Sequence, residues 1–289
     1  MARRPPTPDL DDAPLAPGLY VVATPIGNLR DITLRALDVL AAADLVLAED
    51  TRVAGKLLQA YGLSAKLERY DEHGAERTRP RAMAALAAGQ RVALVSDAGT
   101  PLVSDPGYKL VREAAAEGVA VFPIPGPSAL LAGLSAAGLP TDRFLFAGFP
   151  PPKSAARRTF LEELAPIRAT LVFFEGGSRL AASLADMAAV FGEREAVVCR
   201  ELTKLYETIY RGPLRDLAAD PVLDAPKGEI VILVGPGRSA EATQRDIDTA
   251  IVDALARLRP AEAATEVAKA LGLPRRDVYQ RAMALRAGR

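Results

Sequence analysis

Apolar runs that favour strands alternate with amphipathic stretches that favour helices from Leu19 to Ala137. The predicted strands are Leu19–Ala23, Leu45–Ala48, Ala65–Tyr70, Val92–Val95 and Val119–Ile124. The predicted helices are Ile32–Ala43, Val53–Tyr61, Pro80–Ala88, Tyr108–Glu117 and Ser128–Ala137. This alternation predicts βαβ units and a parallel sheet. Because such crossovers are right-handed, the carboxyl ends of all five strands should share one edge, where open α/β sheets bind their ligands.

The longest loop at that edge is SDAGTPLVSDPG, residues 96–107. Its glycines allow backbone to approach a ligand closely, and its prolines fix its shape. Neither this loop nor PGPS at 125–128 contains Lys or Arg. Such a cradle suits a ligand with positive centres, such as an amino acid or a sulfonium compound. A rigid turn that only packs two helices together is the alternative that spacing leaves open.

The segment FAGFPPPKSAARR, residues 146–158, interrupts the alternation and predicts a domain boundary. Beyond it we expect strands at Thr170–Phe174, Glu195–Cys199, Glu207–Tyr210 and Ile230–Val234, and a helix at Ser178–Phe191. The third and fourth of these strands lack a full crossover helix between them, so the second sheet should be mixed. The predicted organisation is a disordered tail at 1–18, α/β domains at 19–146 and 147–237, and a small helical domain at 238–289.

The last 50 residues predict a helical appendage. Ala268, Gly272 and Val278 have the spacing of a helix-turn-helix. From Leu255 to Arg289 there are eight Lys or Arg and three Asp or Glu, in a chain whose formal net charge is zero. This local excess indicates a nucleic-acid surface. A solvated helical cap explains it equally well at this point.

The sequence lacks the motifs that are typical of several classes of protein. One cysteine, Cys199, and one histidine, His73, exclude a disulfide framework and argue against a zinc site. A single cysteine also fits a reduced cytoplasm. The sequence has no P-loop and no GxGxxG, and it has neither a secretory signal nor an apolar run long enough to span a membrane.

Seven motifs occur in a fixed order: TPIGNLRDITLRAL, AEDTR, ALVSDAGTPLVSDPG, PGPSAL, LPTDRFLFAGF, RELTK and KGEIVILV. With them the chain resembles the ribosomal RNA small subunit methyltransferase I family, a branch of the tetrapyrrole methylase-like superfamily. The resemblance implies two α/β domains of the class III methyltransferase type with a helix-turn-helix-like appendage. It implies methyl transfer from S-adenosyl-L-methionine to the ribose 2′-oxygen of a cytidine in the decoding centre of 16S rRNA, within the 30S subunit. It also implies a cytoplasmic homodimer with no membrane association.

The resemblance also assigns site residues. It implies that the cofactor is bound by Pro25, Ile26, Gly27, Asp97, Gly99, Thr100, Pro101, Ser128, Ala129, Phe174, Glu175 and Gly228. RNA contacts are expected from Arg52, Lys153, Arg157, Arg200, Arg275 and Arg276, and no metal is expected. For the general base we favour Asp50, then Lys204 with its pKa lowered by Arg200, and Glu49 as a further carboxylate facing the ribose. The alternative role for Asp50 is to cap the helix that follows it, which is common for Asp at that position.

Two departures from the family pattern bear on activity. The family has a histidine in an ESPHR stretch, where this chain has EGGSR at 175–179. The family's His-Asn pair is His73-Gly74 here. The missing ESPHR histidine supports one alternative, a non-catalytic RNA-binding assembly factor that retains a decayed cofactor site. The shared superfamily gives the other, a corrin or porphyrin methyltransferase, although the basic tail and RELTK argue against it.

Overall fold

The computed structural model describes residues 10, 14–72, 74–104, 106–237, 244–271 and 273–287. His73, Gly272 and most of the predicted tail at 1–18 lie outside the described residues. The described chain forms two compact units, 1–236 and 237–289.

The first five strands form one parallel sheet, as predicted. They are β1 Gly18–Val22, β2 Leu45–Ala48, β3 Leu67–Arg69, β4 Arg91–Val95 and β5 Val121–Ile124, in the order β3-β2-β4-β1-β5. Strand β1 pairs with β4 and β5, so that Val22 lies opposite Val95 and Ile124. The carboxyl ends of all five strands thus meet at one edge.

Helices on both faces of this sheet bury its strands on both sides, because each crossover between parallel strands places its helix on a face. They are α1 Leu34–Ala42, α2 Thr51–Tyr61, α3 Ala75–Ala87, α4 Tyr108–Ala116 and α5 Ala129–Ala137. Leu40 and Leu58 pack with Val22 on one face. Leu110 packs with Leu19 and Leu94 on the other face.

The second sheet is mixed, as its connections predict. Its strands are β6 Phe144–Gly148, β7 Thr170–Gly176, β8 Glu195–Arg200, β9 Thr208–Pro213 and β10 Glu229–Val234, in the order β6-β7-β10-β8-β9. The β6–β7 pair is parallel and the other three pairs are antiparallel. Helices α6 Ser154–Leu164, α7 Leu180–Phe191 and α8 Leu214–Ala219 accompany it.

The chain enters the second sheet earlier than the sequence predicts. Strand β6 begins at Phe144, so the chain has entered the second sheet before the predicted boundary at 146. The last helix of the first half, α5, also packs on the second sheet, where Leu134 and Ala137 contact the cluster of Val197 and Leu233. The two sheets therefore share apolar packing within one compact unit.

The position of Arg157 contradicts its prediction as an RNA-contacting residue. Its side chain is 4% exposed and lies 2.7 Å from the buried carboxylate of Asp186. The same carboxylate accepts hydrogen bonds from Ser154 Oγ and Arg158 Nε. Arg157 also donates to the backbone oxygens of Pro151 and Pro152, so it holds the proline segment onto α7. A guanidinium buried in this way cannot also bind RNA phosphate.

The second unit is a three-helix cluster. It consists of α9 Gln244–Leu255, α10 Pro260–Leu271 and α11 Arg275–Ala287. Ile251, Val267, Ala268 and Val278 are buried together between the helices. Within the described residues, no helix combines the length and the apolar character that crossing a bilayer requires.

The buried ion pair gives a stability prediction. Asp186→Ala leaves the Arg157 guanidinium buried without its carboxylate, which should lower the free energy of unfolding by about 3–5 kcal/mol. Equilibrium urea unfolding measures this loss. The exposed Glu162→Ala on α6 is the control and should change the free energy of unfolding by less than about 0.5 kcal/mol. Equal effects of the two substitutions would contradict a stabilising role for the pair.

Candidate active site

A cavity of about 300 Å³ lies at the carboxyl edge of the first sheet, where residues of the second sheet face it. The first sheet contributes its loops, and the second contributes Phe149, Phe174 and the start of β10. The lining residues are Ile26, Glu49, Asp97, Ala98, Gly99, Thr100, Val103, Ser104, Ser128, Ala129, Phe149, Phe174, Glu175, Glu229, Ile230 and Val231. Four carboxylates and no Lys or Arg occur in this set.

Backbone hydrogen bonds hold three of these loops together. Thr24 N–H donates to Gly99 O at 2.8 Å, and Gly99 N–H donates back to Thr24 O at 2.9 Å. Thr100 Oγ1 donates to Pro127 O at 3.2 Å, which ties the loop after β4 to the loop after β5. The protein's own hydrogen bonds thus fix the shape of this cavity wall.

Unusual backbone conformations occur in the same wall. Leu102 and Ser104 have positive φ angles of 76° and 67°, which are costly for residues with a Cβ. Ser104 lines the cavity. Such outliers cluster at ligand-binding sites, where the surrounding structure holds them in place.

Ser128 shows how the sequence builds one corner of the cavity. It is the N-cap of α5, and its hydroxyl accepts a hydrogen bond from the Leu131 N–H at 3.5 Å. The cap starts the helix at the edge of the sheet and keeps Ser128 and Ala129 in the cavity wall.

The aromatic side of the cavity comes from the second sheet. Phe149 and Phe174 meet edge to face, with ring centroids 5.7 Å apart. Phe149 is 56% exposed although it is a large apolar side chain. An exposed aromatic ring beside a cavity offers a surface for a flat, apolar ligand group.

Glu175 is the most deeply buried carboxylate of the cavity. It accepts hydrogen bonds from Ser183 Oγ at 2.6 Å and from the Gly176 N–H at 2.8 Å. Arg179 Nη2 lies 2.5 Å from Oε1, the oxygen that also accepts from the Gly176 N–H. Burial and these partners fix the orientation of the carboxylate.

The EGGSR stretch closes tightly on the segment before β10. Gly177 N–H donates to Gly228 O at 3.3 Å, and a Cβ at position 177 would overlap the backbone oxygen of Pro226. Glycine is therefore required at 177 in this arrangement. The departure from the family's histidine-containing stretch thus accompanies a close approach of two backbone segments.

Glu49 and Asp50 differ sharply in acidity. Burial, followed by the negative charges of Asp97, Asp71 and Asp50, raises the pKa of Glu49. Hydrogen bonds from the side chain and the backbone of Arg52 hold the pKa of Asp50 well below its usual range. A carboxylate with a raised pKa is the stronger base of the two.

Asp50 therefore does not have the environment that its prediction as general base requires. It caps α2 by accepting a hydrogen bond from the Arg52 N–H at 2.8 Å, and Arg52 Nη2 lies 2.5 Å from Oδ2. It does not line the cavity, whereas Glu49 does. The capping role weighed from the sequence is the one observed.

The predicted lowering of the Lys204 pKa is wrong. Burial alone would lower it, but hydrogen bonds from the ammonium to Glu201 at 2.9 Å and Glu229 at 3.0 Å outweigh burial and raise the pKa. The Arg200 guanidinium donates instead to Lys227 O at 2.8 Å. Lys204 is thus a charged side chain in a paired network and a poor proton acceptor.

Lys204 nevertheless lies at the site. Its aliphatic stem occupies the space that a Cβ at Gly27 would need, and Gly27 has a φ of 157°. Its ammonium pairs with Glu229, which lines the cavity. The lysine therefore connects the second sheet to the loop after β1.

Most of the predicted cofactor residues come together. Ile26, Asp97, Gly99, Thr100, Ser128, Ala129, Phe174 and Glu175 all line the cavity. Pro25 and Gly27 line a neighbouring cavity instead. Pro101 is buried, and Gly228 packs against the Glu201 side chain.

Sequence reasoning missed Val103, Ser104, Phe149, Ile230 and Val231. The other two lining residues that were not named singly, Ala98 and Glu229, lie within the predicted cofactor loop 97–101 and directly after the predicted Gly228. Phe149 carried a usable signal, since it is an aromatic residue directly before a proline run. Ile230 and Val231 looked like ordinary strand residues, and only the packing of the two sheets brings them to the cavity.

The predicted RNA-contacting residues other than Arg157 are accessible to different degrees. Arg52 is 86% exposed although it is paired with Asp50. Lys153, Arg275 and Arg276 are exposed, the last two in the first turn of α11. Arg200 is partly buried and holds the 227 carbonyl.

Comparison with family models places the chain in a class. Residues 18–218 match the model of the tetrapyrrole (corrin/porphyrin) methylases. Residues 241–286 match the model of the RsmI C-terminal HTH domain.

Curated relatives narrow the class. The protein named ribosomal RNA small subunit methyltransferase I from Mesorhizobium japonicum is 53% identical to this chain, and the alignment covers 94% of each chain. The protein of the same name from Erythrobacter litoralis is 52% identical, and the alignment covers 94% of this chain and 97% of that one. The protein of that name from Escherichia coli O157:H7 is 46% identical, over 92% and 94% of the two chains. The chain belongs to the ribosomal RNA small subunit methyltransferase I family.

Solved structures agree on the fold. The methyltransferase CobJ matches with a TM-score of 0.57 at 21% identity, covering 76% of this chain and 94% of that one. Uroporphyrin-III C-methyltransferase from Thermus thermophilus, complexed with S-adenyl homocysteine, matches with a TM-score of 0.52 at 20% identity, covering 75% and 96%. The two α/β halves thus have the tetrapyrrole methylase fold.

The raised pKa of Glu49 gives a second prediction. A carboxyl whose folded pKa is raised stabilises the fold below its unfolded pKa, and this contribution is lost as the pH rises through the folded pKa. Glu49→Gln should therefore raise the Tm relative to the unmodified chain at pH 7.5, with a smaller difference at pH 4. Thermal unfolding at both pH values measures this, with the exposed Glu162→Gln as the control. A Glu49→Gln Tm at or below that of the unmodified chain at pH 7.5 would contradict the assigned environment.

Proposed function

We propose that the chain is an S-adenosyl-L-methionine-dependent rRNA methyltransferase that modifies the ribose 2′-oxygen of a cytidine in the decoding centre of 16S rRNA. The observation that carries the proposal is the cavity itself. Its described lining has four carboxylates, two phenylalanines and no Lys or Arg. The names of the relatives at 46–53% identity specify ribosomal RNA, which supports RNA as the class of substrate.

The cavity fits the proposed cofactor. When bound, S-adenosyl-L-methionine supplies a methyl group on a positively charged sulfur. The carboxylates of Asp97 and Glu49 favour positive charge nearby through Coulomb attraction. The exposed ring of Phe149 offers a face for an adenine, and the backbone of the hydrogen-bonded loops offers donors and acceptors.

Glu49 is the proposed general base. The ribose hydroxyl must lose its proton as the oxygen gains a methyl group, and Glu49 accepts that proton. Its raised pKa brings it closer to the operating pH, where general bases work best. The negative charge of Asp97 beside it makes the Glu49 carboxylate a stronger base. After the transfer the accepted proton would pass to water, which restores the carboxylate, and the spent cofactor would leave as neutral S-adenosylhomocysteine.

Positive charge outside the cavity suits RNA. Arg52 lies at the start of α2, next to Glu49 and Asp50 along the chain. Arg275 and Arg276 are exposed at the start of the second helix of the helix-turn-helix-like unit. We propose that these side chains bind RNA phosphates, as does the exposed Lys153. The 30S subunit as substrate, the homodimer and the cytoplasmic location remain predictions.

The direct test is product analysis. The protein is incubated with methyl-labelled S-adenosyl-L-methionine and 30S subunits from a strain that lacks the modification, and the rRNA is digested to nucleosides. We expect label in 2′-O-methylcytidine. A parallel reaction contains a porphyrinoid in place of the 30S subunits. Transfer of label to the porphyrinoid alone would favour the corrin or porphyrin alternative. The absence of transfer to either acceptor would favour an assembly factor.

Blocking the cavity should abolish cofactor binding. Ser128→Trp places an indole where Ser128 now lines the cavity, and we expect S-adenosylhomocysteine affinity to fall at least about tenfold, or roughly 1.4 kcal/mol. Isothermal calorimetry measures the affinity. Ser135→Trp on the exposed face of the same helix is the matched control. Unchanged affinity in Ser128→Trp would place the cofactor elsewhere.

The choice of base is tested by two isosteric substitutions. Glu49→Gln should reduce the single-turnover rate about a hundredfold or more, since general-base help is worth about 10²–10⁴. In the unmodified protein the rate should fall as the pH drops through the raised pKa of Glu49, and this dependence should vanish in Glu49→Gln. Asp50→Asn should retain most of the rate. A collapse in Asp50→Asn beside a normal Glu49→Gln would reverse the assignment.

A further inference from the structure

The four carboxylates that line the cavity differ in whether the protein neutralises them. Two of them have a cation of their own within 3.0 Å, in the pairs Glu175–Arg179 and Glu229–Lys204. The other two are Glu49 and Asp97, which we call the carboxylate pair. Neither forms an ion pair with a Lys or Arg among the residues that the structure describes. The uncompensated negative charge of the cavity therefore belongs to the carboxylate pair.

The sheet register brings the carboxylate pair together. Strands β2 and β4 are neighbours, with Ala48 opposite Val95. Glu49 directly follows the first of these strands, and Asp97 lies two residues after the second. The Asp50 N–H donates to Asp97 Oδ1 at 2.9 Å, and the backbone N–H of Asp97 faces the Glu49 carboxylate. Backbone groups of the two loops thus hold the two carboxylates side by side.

Other charged groups near the carboxylate pair are already compensated. The carboxylates of Asp71 and Asp50 also act on Glu49. Their charges are balanced by arginines, since Arg69 Nη2 lies 2.6 Å from Asp71 and Arg52 Nη2 lies 2.5 Å from Asp50. These local pairs leave the excess negative charge where the cavity is lined by the carboxylate pair.

The charge of the ligand therefore matters at this point of the cavity. Burial and the neighbouring negative charges raise the pKa of Glu49, which shows that they oppose its ionised form. A unit positive charge a few ångströms away offsets this repulsion, whereas a neutral ligand of similar shape does not. The carboxylate pair thus favours a cation over a neutral ligand of the same size.

The proposed reaction changes the charge of its own cofactor. Methyl transfer breaks the bond between the sulfur and the methyl carbon and leaves the electron pair on sulfur. The ribose oxygen bonds the methyl carbon and loses its proton. A positively charged sulfonium thereby becomes a neutral thioether, and the two ligands differ by one unit of charge.

We propose that the carboxylate pair of Glu49 and Asp97 is a charge-selective element that binds S-adenosyl-L-methionine more tightly than S-adenosylhomocysteine. The transfer itself then weakens the binding of the spent cofactor and favours its exchange for a fresh one. The inference rests on the proposed function, since it takes the cofactor of that reaction. It adds a role in substrate selection and product release to residues that line the cavity.

A pH dependence follows from this role. Ionisation of Glu49 adds a negative charge beside the ligand, so the preference for the cation should be larger at pH 8 than at pH 5. By linkage, binding of the cation should release protons, and binding of the neutral product should release fewer.

Isothermal calorimetry of the full chain with each ligand at pH 5 and pH 8 tests the inference. Titrations in two buffers of different ionisation enthalpy count the protons released. Glu49→Gln and Asp97→Asn each remove one charge with little change in shape, and they lie on different loops in case one variant is poorly folded. Glu162→Gln, at an exposed glutamate on α6, is the matched control.

In the unmodified chain and in Glu162→Gln we expect the charged cofactor to bind at least about tenfold more tightly than the product at pH 8, with a smaller ratio at pH 5. Each carboxylate variant should lower the pH 8 ratio at least about threefold, mainly through weaker binding of the cation. Glu49→Gln should also abolish the pH dependence of the ratio.

Equal affinities for the two ligands at pH 8, or a ratio that neither Glu49→Gln nor Asp97→Asn changes, would overturn the inference. Methylation of 30S subunits by a chain with equal affinities would show that the proposed function stands without it. A chain that binds neither ligand would contradict both the inference and the proposed use of the cofactor.

Discussion

The reciprocal backbone pair between Thr24 and Gly99 is the contact on which the site depends. Its two hydrogen bonds, 2.8 and 2.9 Å long, join the loops that follow the central strands β1 and β4. These loops leave adjacent strands in the same direction, so a single bridge fixes both as one wall. The cavity of the candidate active site lies along this wall. Methyl transfer needs close control of position, and a wall held by the protein's own hydrogen bonds lowers the entropy cost of achieving it.

Two neighbouring carboxylates, Glu49 and Asp97, determine the electrostatic character of this wall. Glu49 and Asp97 lie close enough for their charges to interact, and the effect on the Glu49 pKa opposes its ionisation. Such an arrangement costs folding stability, while it favours a positively charged ligand and suits the proposed role of Glu49 as a base. Asp50, one residue away, escapes the effect because Arg52 neutralises it. Their partners thus make one of two neighbouring carboxylates a helix cap and the other the proposed base.

The fold followed from the sequence because its signals are local. Continuous apolar strands such as Leu45–Ala48 and amphipathic helices between them specify a parallel sheet in almost any context. Strand β6 escaped prediction because Phe144–Gly148 ends in a glycine and runs into prolines, which read as a linker. Only its pairing with β7 makes it a strand.

The roles of charged residues were less accessible from sequence because they depend on distant partners. Arg157 looked like a phosphate ligand, and its burial depends on Asp186, 29 residues away. Lys204 looked like a lysine beside an arginine, whereas Glu229 from another strand sets its charge. Glu49 and Asp50 are adjacent in sequence, and only the placement of Arg52 and Asp97 distinguishes them. A linear pattern locates such residues at the correct edge, and packing decides what they do there.

We propose that the wall formed by the Thr24–Gly99 bridge presents the cofactor to Glu49. A crystal structure of the full chain with S-adenosylhomocysteine tests this placement. We expect the ligand in the cavity lined by Asp97, Ser128 and Phe174, with its sulfur facing the Glu49 carboxylate. A ligand bound outside that cavity, or a sulfur turned away from Glu49 towards the solvent, would contradict it.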